Sequence, residues 1–351
     1  GDMIDRHNYF GGGEGGHSIA EGKVENRSHL ATPGSGLLAS GMHQVDGKPF
    51  CMTEWTQMPP NEWKAEAAPL IAFYGMGLQG WDASYHFLNS RVGPGDGWPN
   101  LSSYVTDTPH YAGQFPALSF AVRHGHIRVA PVVAGRSLRT NDLFLGVDCL
   151  KQDFSGGGDV KTLKAGSRTP VQALAIGRVT TDFGGKPATA VDPSRYWDET
   201  NRVVRSVTGE LTWDYGNQVV TVQSPRTQAV IGRAAGKSFA LPGVSVTDVK
   251  TPFVSLIFTP LDDRELIQSR QVLVTAMARD KQTGSQYGDD GARLITIGAP
   301  PLLMEPVQAR IAFKGTPPRE LNILDIYGAP TGRRVPPAAD GSFTIDGTAR
   351  T

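Results

Sequence analysis

Apolar and polar positions follow two different rhythms along this chain. Near the start, Met3–Phe10 is a short stretch of mixed apolar and polar residues, and the Gly11–Gly16 segment after it is a loop. Residues 17–47 are polar and irregular. Phe50–Thr53 reads as a second short strand, stopped by Pro59-Pro60-Asn61, where Asn61 supplies a helix N-cap. Trp63, Ala67, Leu70, Ile71 and Tyr74 then fall on one helical face, which Gly75 and Gly77 close. Leu78–Phe87 reads as a third strand, residues 91–109 as a long loop, and Phe115–His124 as a second helix ended by Gly125. The alternation β, α, β, α predicts parallel βα units.

After about Ile127 the pattern shortens. The runs Ile127–Val133, Val171–Ile176, Val203–Val207, Glu210–Trp213, Gln218–Gln223, Thr227–Ile231, Val254–Phe258 and Gln271–Ala278 are separated by turns rich in Gly, Asp, Asn and Pro. That is the grammar of an antiparallel β-sandwich. From Glu305 onward strands are again expected, with a turn at Asp340-Gly341, as a small third β unit or as the last strands of the sandwich.

Composition narrows the class. The 351 residues suffice for two or three domains. Basic and acidic residues balance at 34 each, so no basic field attracts nucleic acid or anionic lipid. No apolar run approaches the roughly 20 residues that span a bilayer. With 42 Gly, 25 Pro and 19% charged residues, a turn-rich, largely β protein is favoured. Cys51 and Cys149 lie far apart, and two cysteines make neither a disulfide framework nor a metal site.

The chemistry-bearing positions cluster early. Glu54 stands at the expected end of the Phe50–Thr53 strand, His7 and Tyr9 lie on the strand before it, and Trp81 on the strand after. In (β/α)8 barrels catalytic groups occupy such strand ends. His7-Asn8-Tyr9, Thr53-Glu54-Trp55 and Gln79-Gly80-Trp81, in this order, resemble the sixth, seventh and eighth strands of the retaining glycoside hydrolases of clan A. Gly209-Glu210-Leu211-Thr212-Trp213-Asp214 and Ser224-Pro225-Arg226-Thr227-Gln228 resemble the β-sandwich that trails many of them.

The resemblance implies an α/β plus all-β chain. Residues 1–127 would be the C-terminal portion of a TIM (β/α)8 barrel (strands 6–8), residues 128–300 an antiparallel β-sandwich, and residues 301–351 a small β segment. It implies a glycosidase acting by retaining double displacement on an oligo- or polysaccharide. Glu54 would be the nucleophile, Tyr9 its hydrogen-bond donor, His7 a residue orienting a sugar hydroxyl, and Trp81 an apolar platform for the sugar ring. Trp55, on the other side of the strand, is assigned to packing. The acid/base Glu of strand four has no counterpart here, because Asn61-Glu62 sits at a helix start. A second chain or an upstream segment is therefore expected to supply the rest of the barrel. No cofactor or metal is implied, and a secreted or periplasmic setting is expected from the resemblance alone.

Other signals carry less. Gly11, Gly13 and Gly16 match a dinucleotide fingerprint in letters but precede no helix-forming run. His17, Glu21, His29 and His43 lack metal-ligand spacing and are cleft-lining candidates, as is Glu14. Asp262-Asp263 and Asp289-Asp290 suit turns better than calcium. No Gly-x-Ser-x-Gly elbow is present. The competing reading is a non-catalytic carbohydrate-binding or structural fragment.

Overall fold

The computed structural model describes residues 1–13, 20–87, 108–145, 152–153, 162–163, 169–185, 189–325 and 328–347. Four N-terminal strands organise the first part: β1 (Ile4–Gly13), β2 (Gly22–Glu25), β3 (Phe50–Met58) and β4 (Ala83–His86). β1 pairs in parallel with β3, and β3 in parallel with β4. On its other edge β1 pairs antiparallel with β2 at Gly12 and Gly13, and β2 pairs antiparallel with Arg293–Thr296, which pairs with Gln286–Tyr287.

The expected (β/α)8 barrel portion is therefore corrected. The parallel strands belong to an open, mixed, six-stranded sheet, and no closed barrel forms among the described residues. The reason lies far along the chain. A segment near residue 290 adds to β2 and extends the sheet with antiparallel strands, a long-range pairing that no local pattern encodes.

A continuous helical stretch joins β3 to β4. It begins as a 3-10 turn at Lys64–Glu66, passes through an α turn at Ala67–Leu70 and widens to π winding over Ile71–Leu78. Asn61 accepts from the Trp63 amide at 2.9 Å and so caps the entry. Gly75 and Gly77, expected to end the helix, lie inside it. A Cβ at Gly75 would stand 2.6 Å from the Trp81 ring, so glycine there allows close packing. The second helix, Phe115–Arg123, forms where the pattern placed it.

The C-terminal part is centred on a seven-stranded antiparallel sheet in the order Trp197–Asp198, Val203–Arg205, Leu211–Asp214, Val219–Gln223, Gln228–Arg233, Phe253–Pro260 and Val272–Met277. Its side chains alternate between two cores. Val220, Ile231 and Ile257 join Trp63, Tyr74 and Trp81 of the N-terminal part. Val219, Val230, Leu256 and Phe258 instead meet Val244, Val246, Ile311 and Phe343 of a four-stranded sheet. Buried on both faces, the strand Phe253–Pro260 has no exposed position.

This also corrects the expected pairing of a partial barrel with a trailing sandwich. The chain builds several small open sheets, and the central one is a shared middle layer. Val171–Ile176, expected as a strand, contains a helical turn at Ala173–Ile176. Val132–Ser137 pairs in parallel with Arg178–Asp182 and antiparallel with Thr189–Ala190. No helix among the described residues is long and apolar enough to cross a membrane.

Candidate functional site

The β1–β3 register sets His7 opposite Glu54. An irregularity between Arg6 and His7 leaves Thr53 as an extra residue on β3. A bulge of this kind re-aims side chains and raises local twist. Thr53 and Glu54, neighbours in sequence, consequently both reach β1 side chains: the Thr53 hydroxyl donates to Asp5, and the Tyr9 hydroxyl donates to Glu54 Oε1. His7 bridges the two carboxyls, with Nδ1 3.2 Å from Glu54 Oε2 and Nε2 3.6 Å from Asp5 Oδ2. The Tyr9 ring is buried and stands edge-on to Phe87 at 6.4 Å.

The structure thus brings together His7, Tyr9 and Glu54 and adds Asp5 and Thr53, which sequence reasoning missed. Asp5 had a legible signal, since Asp5, His7 and Tyr9 alternate along one strand face. Thr53 had none, because a bulge is not readable from period. Glu54 itself lies mid-strand, for β3 continues to Met58. Its side chain is 23% exposed, against 45% for Asp5.

Trp81 is placed apart from this cluster. It is 3% exposed, and its ring packs on Phe50 at 5.2 Å, just before β4. Trp55 lies on the buried side of β3, where Nε1 donates to Ser84 at 2.8 Å and the ring meets His86 and Tyr111. Alternation along β4 sets Ser84 and His86 toward that buried side and Tyr85 on the side of Glu54, where it is 61% exposed.

Other candidates have structural roles. His29 is buried, stacked on Phe10 at 3.6 Å and paired with the buried Glu66 at 3.0 Å. Glu66 also accepts from Ser28 Oγ (2.5 Å), the His29 amide (2.7 Å) and Gln57 (3.1 Å). Asp290 accepts from the Ala292 amide two residues on, as turn carboxylates do, and Asp262 accepts from the Arg270 amide. Glu14, Gly16, His17 and Cys149 lie outside the described residues, as do residues 91–107 of the expected long loop.

The retaining-glycosidase assignment does not survive this geometry. That mechanism needs two carboxyls about 5–5.5 Å apart with the sugar's anomeric carbon between them. Here the carboxyl neighbouring Glu54 is Asp5, and the imidazole of His7 fills the space between them. The expectations of a glycosidase, of a nucleophilic role for Glu54 and of polysaccharide degradation are corrected accordingly. Among the described residues no group of three or more His, Cys, Asp or Glu side chains is arranged to hold a metal ion. Comparison of the chain with protein-family models, with curated proteins and with solved structures gives no match.

Proposed function

We propose that this chain is a non-catalytic carbohydrate-binding protein whose binding surface is the face of β1, β3 and β4 around Glu54. The observation that carries the reading is a part-exposed carboxylate held by Tyr9 and His7, on the sheet face where alternation along the paired strand β4 sets the exposed Tyr85. Sugars present hydroxyl edges and apolar C–H faces. A fixed carboxylate accepts from hydroxyls without first losing side-chain freedom, and a tyrosine ring covers the apolar face. Asp5 offers a second acceptor on the same face. The balanced charge of the chain suits a neutral ligand.

Titration calorimetry against soluble neutral xylo-, manno- and galacto-oligosaccharides tests the proposal. Binding of at least one class is expected. Glu54→Ala should weaken it by about tenfold or more, the scale of one charge-assisted hydrogen bond, and Tyr85→Ala by about two- to tenfold, the scale of one stacking contact. Binding by neither the wild type nor a longer form, or wild-type affinity in both variants, would end the proposal.

A further inference from the structure

Residues 279–305 leave the seven-stranded sheet and return to the N-terminal part as an arm. Asp280–Thr283 pairs with Ala299–Met304, and beyond them Arg293–Thr296 adds to β2. The apolar attachment of this arm is thin. Leu294 and Leu302 are buried, whereas Ile295 and Leu303 are about half exposed. Polar contacts carry much of the docking: the Tyr287 hydroxyl donates to the Pro60 carbonyl at 2.5 Å, and Arg279, paired with Glu305, lies 4.0 Å from Glu62.

The deepest contact is ionic. Asp280, 1% exposed, lies 2.6 Å from Lys64 Nζ and 2.6 Å from His110 Nδ1. The other imidazole nitrogen of His110 faces Thr108 Oγ1 at 3.1 Å. A neutral imidazole with its proton on Nδ1 turns that proton toward Asp280 and its other nitrogen toward the Thr108 hydroxyl. A second proton would put another cation beside Lys64 in a dry site. A recess of about 300 Å³ lined by Glu62, Arg279, Asp280 and Glu305 opens beside the pair.

The titratable and charged groups facing this centre are Glu62, Lys64 and Glu66 from the 62–66 segment, His110 and Tyr111, His86 from β4, and Asp280 and Tyr287 from the arm. Burial lowers His110, and Lys64 adds to this; Asp280 offsets them only in part. Burial alone would raise Asp280, but His110 and Lys64 outweigh it and hold the carboxyl well below its ordinary range.

We propose that residues 279–305 form an acid-released latch, docked on the N-terminal part at neutral pH through Asp280, Lys64 and His110 and freed in mild acid. The sign follows from linkage. The docked state binds fewer protons at His110 than the released state, where the imidazole returns to about 6.5, so docking weakens as pH falls below that value. At pH 5.5 one such histidine favours release by at most about tenfold. Asp280 acts lower, its contribution being lost only as pH falls below about 4.

Amide hydrogen exchange of the full chain at pH 7.5 and 5.5, corrected for intrinsic rates, tests this. Exchange across 280–296 should rise at pH 5.5, by up to about tenfold, while Phe253–Pro260 stays protected. H110Q should flatten the rise, and D280N should expose the arm already at pH 7.5. Equal protection of the wild-type arm at both pH values overturns the latch. So does an equal rise in Phe253–Pro260, a rise in H110Q matching the wild type, or a fully protected D280N arm.

Discussion

Trp213 tests whether the seven-stranded sheet and the N-terminal part are one cooperative body. Its side chain is fully buried, its ring packs on Tyr74 at 5.0 Å, and its Nε1 donates to the Leu30 carbonyl at 3.0 Å. Trp213→Ala leaves a large cavity and should cost about 3–5 kcal/mol. Trp213→Phe keeps a ring but strands the buried Leu30 carbonyl, and should cost about 2–3 kcal/mol. Against a typical total of about 5–15 kcal/mol these are large losses. Urea denaturation followed by circular dichroism gives the totals, and hydrogen exchange gives their location. Because Trp213 contacts both parts, protection should fall together in β3 and in Phe253–Pro260. A loss below about 0.5 kcal/mol for Trp213→Phe, or one that leaves β3 untouched, refutes the shared core.

The buried Glu66 predicts a second core effect. Glu66→Ala strands donors on Ser28, His29 and Gln57 and should destabilise by about 3–5 kcal/mol in the same urea assay. Two glycines of positive φ should separate strain from clash. Gly236→Ala meets open space and should cost about 1–2 kcal/mol, whereas Gly232→Ala drives a Cβ to 2.2 Å from the Gln218 carbonyl and should cost clearly more. Burial, with Arg226 and His124 adding to it, lowers His126 to about 4. The folded value lies below the ordinary 6.5, so its stabilisation is full above pH 6.5 and is lost as pH falls toward 4. An NMR titration midpoint for His126 near 6.5 would contradict this. Burial, followed by Asp82 and Asp5, pushes the Cys51 thiol up, so peptide-resolved alkylation at pH 8 should find Cys51 slower than a free thiol.

By itself the sequence determined the local elements. Period-two alternation located most strands of the seven-stranded sheet, and the spacing Trp63, Ala67, Leu70, Ile71, Tyr74 located a helix, because these patterns follow from backbone geometry. It also placed His7, Tyr9 and Glu54 on two strands read as parallel neighbours, and the observed pairing sets His7 opposite Glu54. What it could not determine was how the sheets end and stack. Alternation says that both faces of Phe253–Pro260 are apolar but not which partners cover them. Those proved to be the N-terminal helices on one side and the four-stranded sheet on the other. The strands near residue 290 join β2 through backbone hydrogen bonds that any sequence can make, and this long-range pairing leaves an open sheet where a barrel was expected. The same holds at the site. The bulge that turns Thr53 toward Asp5, and the seat of His7 between two carboxyls, are consequences of strand register, which only the tertiary structure decided.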